Sequence, residues 1–266
     1  MAITAAMVKE LREMTGAGMM DCKKALNETN GNMDEAVEFL RKNGQAKAEK
    51  KASRIAAEGL CMVVTKDDQT AAVVEVNSET DFVAKNATFQ EFVKAVATQA
   101  VNSDAADMDA FMAEKWNEDA SKTVSEALVE KVAVIGENLK IRRFEKVVAE
   151  HGCVVPYVHG GGRIGVIVDA DTDVVNDTVK EAMHNIAMQI AALNPKYVSR
   201  DEVSADYIAH EKEILLAQIM NDPKESQKPA KVIEGMITGR IKKELKEICL
   251  LDQTYVKAED GKQSVA

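Results

Sequence analysis

The spacing of apolar residues in this chain changes from two to three or four at two places, and each change indicates a strand hairpin followed by a helix. In the first copy, residues 60–65 and 72–77 alternate apolar and polar side chains around the polar turn 66–69. Residues 88–101 then place apolar side chains at helical spacing. A hairpin with a helix on one face predicts an α+β fold built from small antiparallel sheets.

The same order returns further along the chain. Residues 153–170 predict strand, turn and strand, and residues 176–193 predict a helix. When the two copies are aligned, Gln189 of the second helix takes the position of Gln99 of the first. We therefore predict a duplicated core of small antiparallel sheets with helices.

The segment between the copies is predicted to complete the first one. Residues 104–120 carry many acidic side chains and are predicted to be helical, as are residues 121–134. Residues 137–148 predict a strand that returns to the first hairpin. The two core subdomains are predicted at residues 59–149 and at residues 150–199 continued by 249–266.

Residues 1–44 predict a separate domain of three short helices, in which Thr4 caps the first helix and Asn43-Gly44 ends the third. Residues 45–58 follow as a basic helical linker. Its cations lie among alanines and are Lys47, Lys50, Lys51 and Arg54. The simplest interpretation of these cations is a solvated helix face.

Residues 200–248 predict two long amphipathic helices that form an inserted antiparallel helical hairpin. The tail after this hairpin predicts one short strand, and residues 262–266 are typical of the beginning of a helix. From this pattern we expect the natural protein to continue beyond residue 266.

Composition argues against several classes of protein. The net charge of −10 repels phosphate backbones, so nucleic acid is not expected as a partner. No run of 18 apolar residues predicts a membrane span, and the start of the chain lacks the basic and apolar regions of a signal peptide. The four cysteines form no Cys-x-x-Cys motif, which favours free thiols and a cytoplasmic location.

No motif in the chain predicts catalysis. Gly160, Gly162 and Gly165 have the spacing of a dinucleotide-binding fingerprint, but they open a strand where that motif needs a helix. The segment "HGGG" resembles an esterase oxyanion loop, yet no Gly-x-Ser-x-Gly supplies a nucleophile. The histidines and Cys153 match no metal-ligand spacing. We therefore expect no enzyme activity, no cofactor and no metal.

The segment "TDFV" is a candidate binding site, because Asp81 and Phe82 follow a predicted strand where loops are usually exposed. Phe82 is either buried in its own core, which is the commoner place for Phe, or buried in a partner. Phe89 and Phe92 already offer aromatic side chains to this sheet. We therefore favour a projecting Asp-Phe pair whose Phe enters a pocket of a partner.

Met19 and Met20 are adjacent in a predicted helix and point about 100° apart, so at least one is expected at the surface. Exposed Met suits an adaptable interface. The alternative is one core Met and one surface Met without a role.

Two stretches, "LREMTGAGMMDCKKAL" (11–26) and "EVNSETDFVAK" (75–85), resemble the signature blocks of the bacterial elongation factor Ts family. "VAVIGENLKIRR" and "HGGGRIGVIV" are also similar to that family, and the likeness runs along nearly the whole chain. The resemblance implies a UBA-like head, a duplicated core and an inserted helical hairpin.

The resemblance also implies a function. Members of this family are guanine-nucleotide exchange factors for elongation factor Tu, which bind its GDP form, displace Mg²⁺ and promote GDP release. The residues that match the Mg²⁺-displacing block are Thr80, Asp81, Phe82 and Val83. The residues expected to bind the partner are Met19, Met20, Cys22, Lys23, Lys51, Ile135, Gly136 and His159. The hairpin 200–248 is expected to serve homodimerisation or partner contact.

An alternative function is a non-enzymatic UBA-like adaptor or chaperone that uses the head to recognise another protein. This alternative leaves the segment "TDFV" without a role. Nucleotide release from the GTPase distinguishes the two functions.

Overall fold

The computed structural model describes residues 2–266 and contains helices together with small antiparallel sheets, as the α+β prediction requires. The chain divides into two compact units, one that ends at Lys180 and one that spans Glu181–Ala266. The finer division into a head, a linker, two core subdomains and a hairpin stays a prediction.

The elements of the first unit follow one another in short succession. In chain order they are α1 (Ala5–Thr15), α2 (Met19–Glu28), α3 (Met33–Lys51), β1 (Glu58–Thr65), β2 (Thr70–Ser78), α4 (Asp81–Ala84), α5 (Ala87–Asn102), α6 (Met108–Ala113), β3 (Lys115–Trp116), β4 (Asp119–Thr123), α7 (Val124–Ile135), β5 (Lys140–Val148), β6 (Cys153–His159) and β7 (Ile164–Ala170).

Helices α1 and α2 and the first part of α3 lie in the part of the chain that is predicted to be the head. The predicted cap of α1 is present, because Thr4 Oγ1 accepts a hydrogen bond from the Met7 N–H. Gly16 ends α1 in a left-handed conformation with a φ of 66°. A small apolar core joins the three helices, and its buried members are Val8, Leu11, Cys22, Ala25, Leu26 and Ala36.

The predicted end of α3 at Asn43-Gly44 is wrong, because the helix continues to Lys51. Gly44 is buried, and a Cβ at this position would lie 3.4 Å from the Cβ of Ala133 in α7. The glycine therefore permits a close approach of two helices and does not end one. The predicted linker is consequently part of α3 as far as Lys51.

Strands β1, β2 and β5 form an antiparallel sheet in that order. Helix α5 packs on one face of this sheet and contributes Phe89, Phe92, Val93 and Val96 to the largest apolar core of the unit. The predicted hairpin, its helix and the returning strand are therefore confirmed.

The predicted helix over 104–120 is wrong for most of its length. Only α6 is helical there, and β3 and β4 form a short hairpin. Trp116 is buried in the core with its ring centroid 5.9 Å from that of Phe92, which holds this segment in an extended form. The next predicted helix starts at Val124, after a capping box made by Thr123 and Glu126.

Strands β6 and β7 form the second predicted hairpin. The hairpin packs on the face of the first sheet that points away from α5. On that face, a Cβ added to Gly165 would lie 2.9 Å from Val73 Cγ2, whereas the neighbouring Ala72 and Val74 pack with α5. The N–H of Cys61 donates to the carbonyl of Gly162 at 2.6 Å. The glycines of this hairpin thus serve a turn and a close approach of two sheets, and they open a strand as predicted.

The two glutamines aligned in the sequence make matching contacts. Gln99 Nε2 donates to the carbonyl of Lys115 at 3.2 Å, and its Oε1 accepts from the N–H of Asn117 at 2.8 Å. Gln189 Nε2 donates to the carbonyl of Thr254 at 3.1 Å, and its Oε1 accepts from the N–H of Val256 at 2.7 Å. Each buried glutamine therefore holds a neighbouring segment by one carbonyl and by the N–H two residues later, which supports the predicted duplication.

The second half of the chain is mostly helical, with α8 (Asp177–Leu193), α9 (Ala205–Asn221) and α10 (Ala230–Ile248). Tyr207 in α9 donates its hydroxyl hydrogen bond to Glu244 in α10 at 2.5 Å. The predicted helix at residues 262–266 is wrong, because Tyr255 and Val265 donate backbone hydrogen bonds to Gln263 and Gln253 in an extended pairing.

Candidate partner-binding site

The Phe82 turn, defined as residues 79–83, leaves the end of β2 and enters the short helix α4. Thr80 caps this helix, because its Oγ1 accepts from the N–H of Val83. The side chain of Phe82 is 81% exposed, although Ala84 in the same helix is buried. Phe82 therefore does not pack into the core of its own chain.

The core beneath the turn is filled without Phe82. Phe89 and Phe92 of α5 are buried there, and Val83 and Ala84 pack against the same cluster. A helical turn places neighbouring side chains about 100° apart, so inward-facing Val83 and Ala84 leave Phe82 on the opposite side. The exposed aromatic side chain follows from this local geometry.

Asp81 lies beside Phe82 and keeps its negative charge. Lys85 Nζ is 2.7 Å from Asp81 Oδ2, one helical turn away. The hydrogen bond and the charge of Lys85 hold the pKa of the Asp81 carboxyl below its usual value of 3.8. A carboxylate and an apolar ring thus stand side by side at the surface.

The Phe82 turn is held by a residue that lies far away in the sequence. Glu137 Oε2 accepts from the backbone N–H groups of Glu79 at 3.0 Å and Thr80 at 3.1 Å. Glu137 Oε1 accepts from the hydroxyl of Thr80 at 2.7 Å. One carboxylate therefore makes three hydrogen bonds to the beginning of the turn.

The side chain of Glu79 in turn contacts the loop that carries Glu137. Glu79 Oε1 accepts from the backbone N–H of Asn138 at 2.6 Å and lies 3.5 Å from Arg54 Nη1. The side-chain amide of Asn138 donates to the carbonyl of Arg54 at 2.7 Å. The Phe82 turn, the segment after α3 and the loop after α7 are thereby joined in one network.

Ile135 and Gly136 directly precede Glu137 and Asn138, which make these contacts. Ile135 is the last residue of α7, and Gly136 ends the helix with a φ of 87° while its N–H donates to the carbonyl of Val132. Gly136 is exposed and directly precedes Glu137. The Gly136 loop, defined as residues 135–138, therefore lies against the Phe82 turn.

Lys51, at the end of α3, lies close enough to the same two carboxylates to be influenced by them. Partial burial and the charges of Arg54 and Lys47 lower the pKa of Lys51, and the charges of Glu79 and Glu137 oppose that shift. The simple interpretation of the linker as a solvated face is therefore incomplete, because these cations have structural neighbours.

The predicted head residues lie at the beginning of α2. Met19 is 59% exposed and Met20 is 75% exposed, so both are at the surface, and Lys23 is exposed as well. Asp21, next to Met20, accepts a hydrogen bond from Lys47 Nζ at 2.8 Å. This contact places the beginning of α2 about one helical turn along α3 from Lys51.

Cys22 differs from these residues. Its side chain is buried in the core of the head, and burial raises the pKa of its thiol. The side chain is therefore not available for partner contact, and its observed contribution is to the packing of the head.

His159 lies at the end of β6 and is at the surface, as are Gly160 and Gly161 of the following turn. The hydroxyl of Tyr157 is 2.8 Å from His159 Nδ1, which orients the ring. The turn after His159 contacts Leu60, and β1 begins two residues earlier, where Glu58 pairs with Ser78 just before the Phe82 turn. His159 therefore lies at the same end of the first sheet as Phe82.

Among residues 2–266, no three His, Cys, Asp or Glu side chains are grouped so as to hold a metal ion. Within the same residues, no helix combines the length and apolar character required to cross a lipid bilayer. The geometry gathers an exposed Phe, an ionised Asp and a rigid frame, which suits recognition of another macromolecule.

Known proteins resemble this chain along most of its length. A family model described as "Elongation factor TS" matches residues 79–266. An elongation factor Ts of Clostridioides difficile is 55% identical over 259 residues, which cover 97% of this chain and 83% of the relative. The chain belongs to the elongation factor Ts family. Proteins of the same name from Clostridium novyi and Clostridium perfringens are each 49% identical, over 97% and 99% of this chain.

Some residues of the site were missed at the level of sequence. Glu79, Glu137 and Asn138 hold the Phe82 turn, but their polar side chains near loops carry no local pattern that distinguishes them from other surface residues. Ile55 directly follows Arg54 in the chain and is 83% exposed. Glu79, Glu137 and Asn138 join the Phe82 turn to the Gly136 loop through contacts outside the motif itself.

Proposed function

We propose that this member of the elongation factor Ts family is a guanine-nucleotide exchange factor for elongation factor Tu, and that it acts in the cytoplasm. It binds the GDP form of that GTPase, displaces Mg²⁺ and promotes GDP release, with no covalent step of its own. The observation that carries the proposal is the 81% exposed Phe82 on a turn fixed by hydrogen bonds.

GDP is released when the GTPase binds the phosphates of GDP less tightly. Mg²⁺ offsets phosphate charge and is bound with a strict geometry, so moving one side of its site lowers affinity for the nucleotide. An exchange factor needs to bind the nucleotide-free conformation better than the nucleotide-bound one. Because linkage is reciprocal, the nucleotide must then also weaken binding of the factor.

The Phe82 turn supplies the two side chains that act on the GTPase. Phe82 inserts into an apolar site of the GTPase, and the neighbouring ionised Asp81 disturbs the cation or its water shell. Thr80 and Val83 fix the short helix that presents this pair. Burial of one Phe contributes about 1.5–3 kcal/mol, while moving an equilibrium from 1:99 to 99:1 takes about 5.5 kcal/mol.

The remaining binding free energy must come from a wider surface. Met19 and Met20 offer adaptable apolar contacts at the beginning of α2 in the UBA-like head, next to Asp21, which accepts a hydrogen bond from Lys47 of α3. Further contacts are proposed at Lys23, Lys51, Ile135, Gly136 and His159. Cys22 acts here only through the packing of the head.

We further propose that the helical hairpin at residues 200–248 serves homodimerisation or partner contact. Within α9 and α10, the buried side chains are Ile219 and Ile241. Several apolar side chains of the two helices remain exposed, among them Leu216, Met220 and Val232. Such a surface is suited to association with another apolar face.

The test of the function is the rate of GDP release from elongation factor Tu, followed by stopped flow with a fluorescent GDP. The rate is expected to rise with the concentration of this chain and to saturate. The GTPase with its own slow release serves as the baseline. Release that stays at the baseline at saturating chain would contradict the proposed function.

A further inference from the structure

We infer that Glu137 is a positioning residue for nucleotide exchange, which fixes the Phe82 turn in the orientation needed for insertion into the partner. This inference rests on the proposed function and adds a residue to it. Glu137 lies on the Gly136 loop, and its three hydrogen bonds to Glu79 and Thr80 carry the argument.

The bonding pattern matches a carboxylate. The two backbone N–H groups and the Thr80 hydroxyl are all donors, and an ionised carboxylate has two oxygens that only accept. Hydrogen bonds to a charged acceptor are stronger than neutral ones. Without Glu137, two backbone donors would have to find water or another acceptor.

The hydrogen bonds to Glu137 hold Thr80, the residue that sets the direction of Phe82. Thr80 donates to Glu137 with its hydroxyl and at the same time accepts from the Val83 N–H as the cap of α4. Its carbonyl also accepts a hydrogen bond from Ser78 Oγ at 3.0 Å. Fixing Thr80 therefore fixes the helical turn that begins one residue before Phe82.

The same carboxylate sets the spacing between two proposed contact points. Glu137 follows Gly136, so its bonds to Glu79 and Thr80 join the Gly136 loop to the Phe82 turn. The bond from the Asn138 N–H to Glu79 closes the connection from the other side. Because ordering a flexible turn on binding costs free energy, a turn ordered beforehand retains more of the contact energy for exchange.

The test compares Glu137→Ala and Glu137→Gln with the wild type in the stopped-flow release of fluorescent GDP. Both the maximal release rate and the chain concentration at half saturation are recorded. We expect Glu137→Ala, which removes all three hydrogen bonds to the turn, to lower the maximal rate by about tenfold or more. Glu137→Gln keeps one oxygen for the two backbone donors and should lie within about threefold of the wild type.

A matched control is Glu126→Ala. Glu126 lies in the first turn of α7, away from the Phe82 turn, and like Glu137 it accepts a hydrogen bond from a backbone N–H. Loss of this cap weakens the helix but should leave the release rate within about twofold of the wild type. Thermal unfolding of each variant separates lost structure from lost positioning.

A double variant decides between positioning and general structural support. If Glu137 acts through Phe82, adding Glu137→Ala to Phe82→Ala should lower the rate less than about twofold further. A full additional loss in the Phe82→Ala background would overturn the inference, as would a wild-type rate for Glu137→Ala. Failure of the wild type itself to accelerate release would instead remove the proposed function.

Discussion

The Phe82 turn and helix α5 are adjacent in the chain, yet they use the same type of residue in opposite ways. Phe89, the third residue of α5, is completely buried, and Phe92 is buried about one helical turn later. Phe82 is 81% exposed. The core closes over the aromatic side chains of α5, whereas the turn directs its aromatic ring to solvent.

The difference lies in what holds each segment in place. Helix α5 is held by apolar packing against the sheet. The Phe82 turn is held by polar groups, among them Glu137, Thr80 and Glu79. A turn ordered by hydrogen bonds can leave its apolar side chain unburied, and that side chain is then available for a partner.

The largest effect on stability is expected for Phe89→Ala. Removing a fully buried Phe from a core costs about 3–5 kcal/mol, because transfer energy is lost and a cavity remains. The free energy of unfolding is to be measured by urea denaturation. Phe82→Ala is the matched variant, and its loss should stay within about 0.5 kcal/mol.

Equal losses of stability in these two variants would contradict the difference assigned to the Phe82 turn and α5. Such a result would mean that Phe82 contributes to the core of the chain in solution, so that the turn and α5 do not differ in kind.

The smallest effect is expected for Lys85→Ala. Lys85 favours the ionised form of Asp81, so its removal should raise the pKa of Asp81 towards 3.8. The shift can be followed by carboxylate NMR titration. Whatever stability the pair contributes is present above pH 3.8 and is lost as the pH falls through the lower pKa of the folded state.

Lys85→Ala is also expected to have little effect on GDP release at neutral pH. Asp81 stays ionised at pH 7 with or without Lys85, so GDP release should change by less than about threefold. A pKa of Asp81 that does not change, or a release rate that falls as far as in a Phe82 variant, would contradict this account of the turn.

Much of the fold could be predicted because it follows from local periodicity. The first hairpin, helix α5 and strand β5 have clear patterns of two or of three to four residues. Gly44 was misinterpreted because a glycine that ends a helix and a glycine that admits a neighbouring helix look alike in one sequence. Residues 115–123 were misassigned because Trp116 and Gln99 fix an extended hairpin through distant contacts.

The site could be predicted only where the residue itself stands out. Phe82 and the Met19-Met20 pair are unusual for a surface, and both are exposed. The burial of Cys22 depends on how three helices pack, which a single helix pattern does not specify. Glu137 acts on residues 57 and 58 positions away, so only the folded chain reveals its contacts.

The most direct test of the account is GDP release from elongation factor Tu with the wild type and with Phe82→Ala, alongside the unfolding free energy of both. Loss of one buried Phe contact predicts a release rate about 10- to 100-fold lower for the variant, with unchanged stability. If elongation factor Tu releases GDP as fast with Phe82→Ala as with the wild type, Phe82 does not act in the partner.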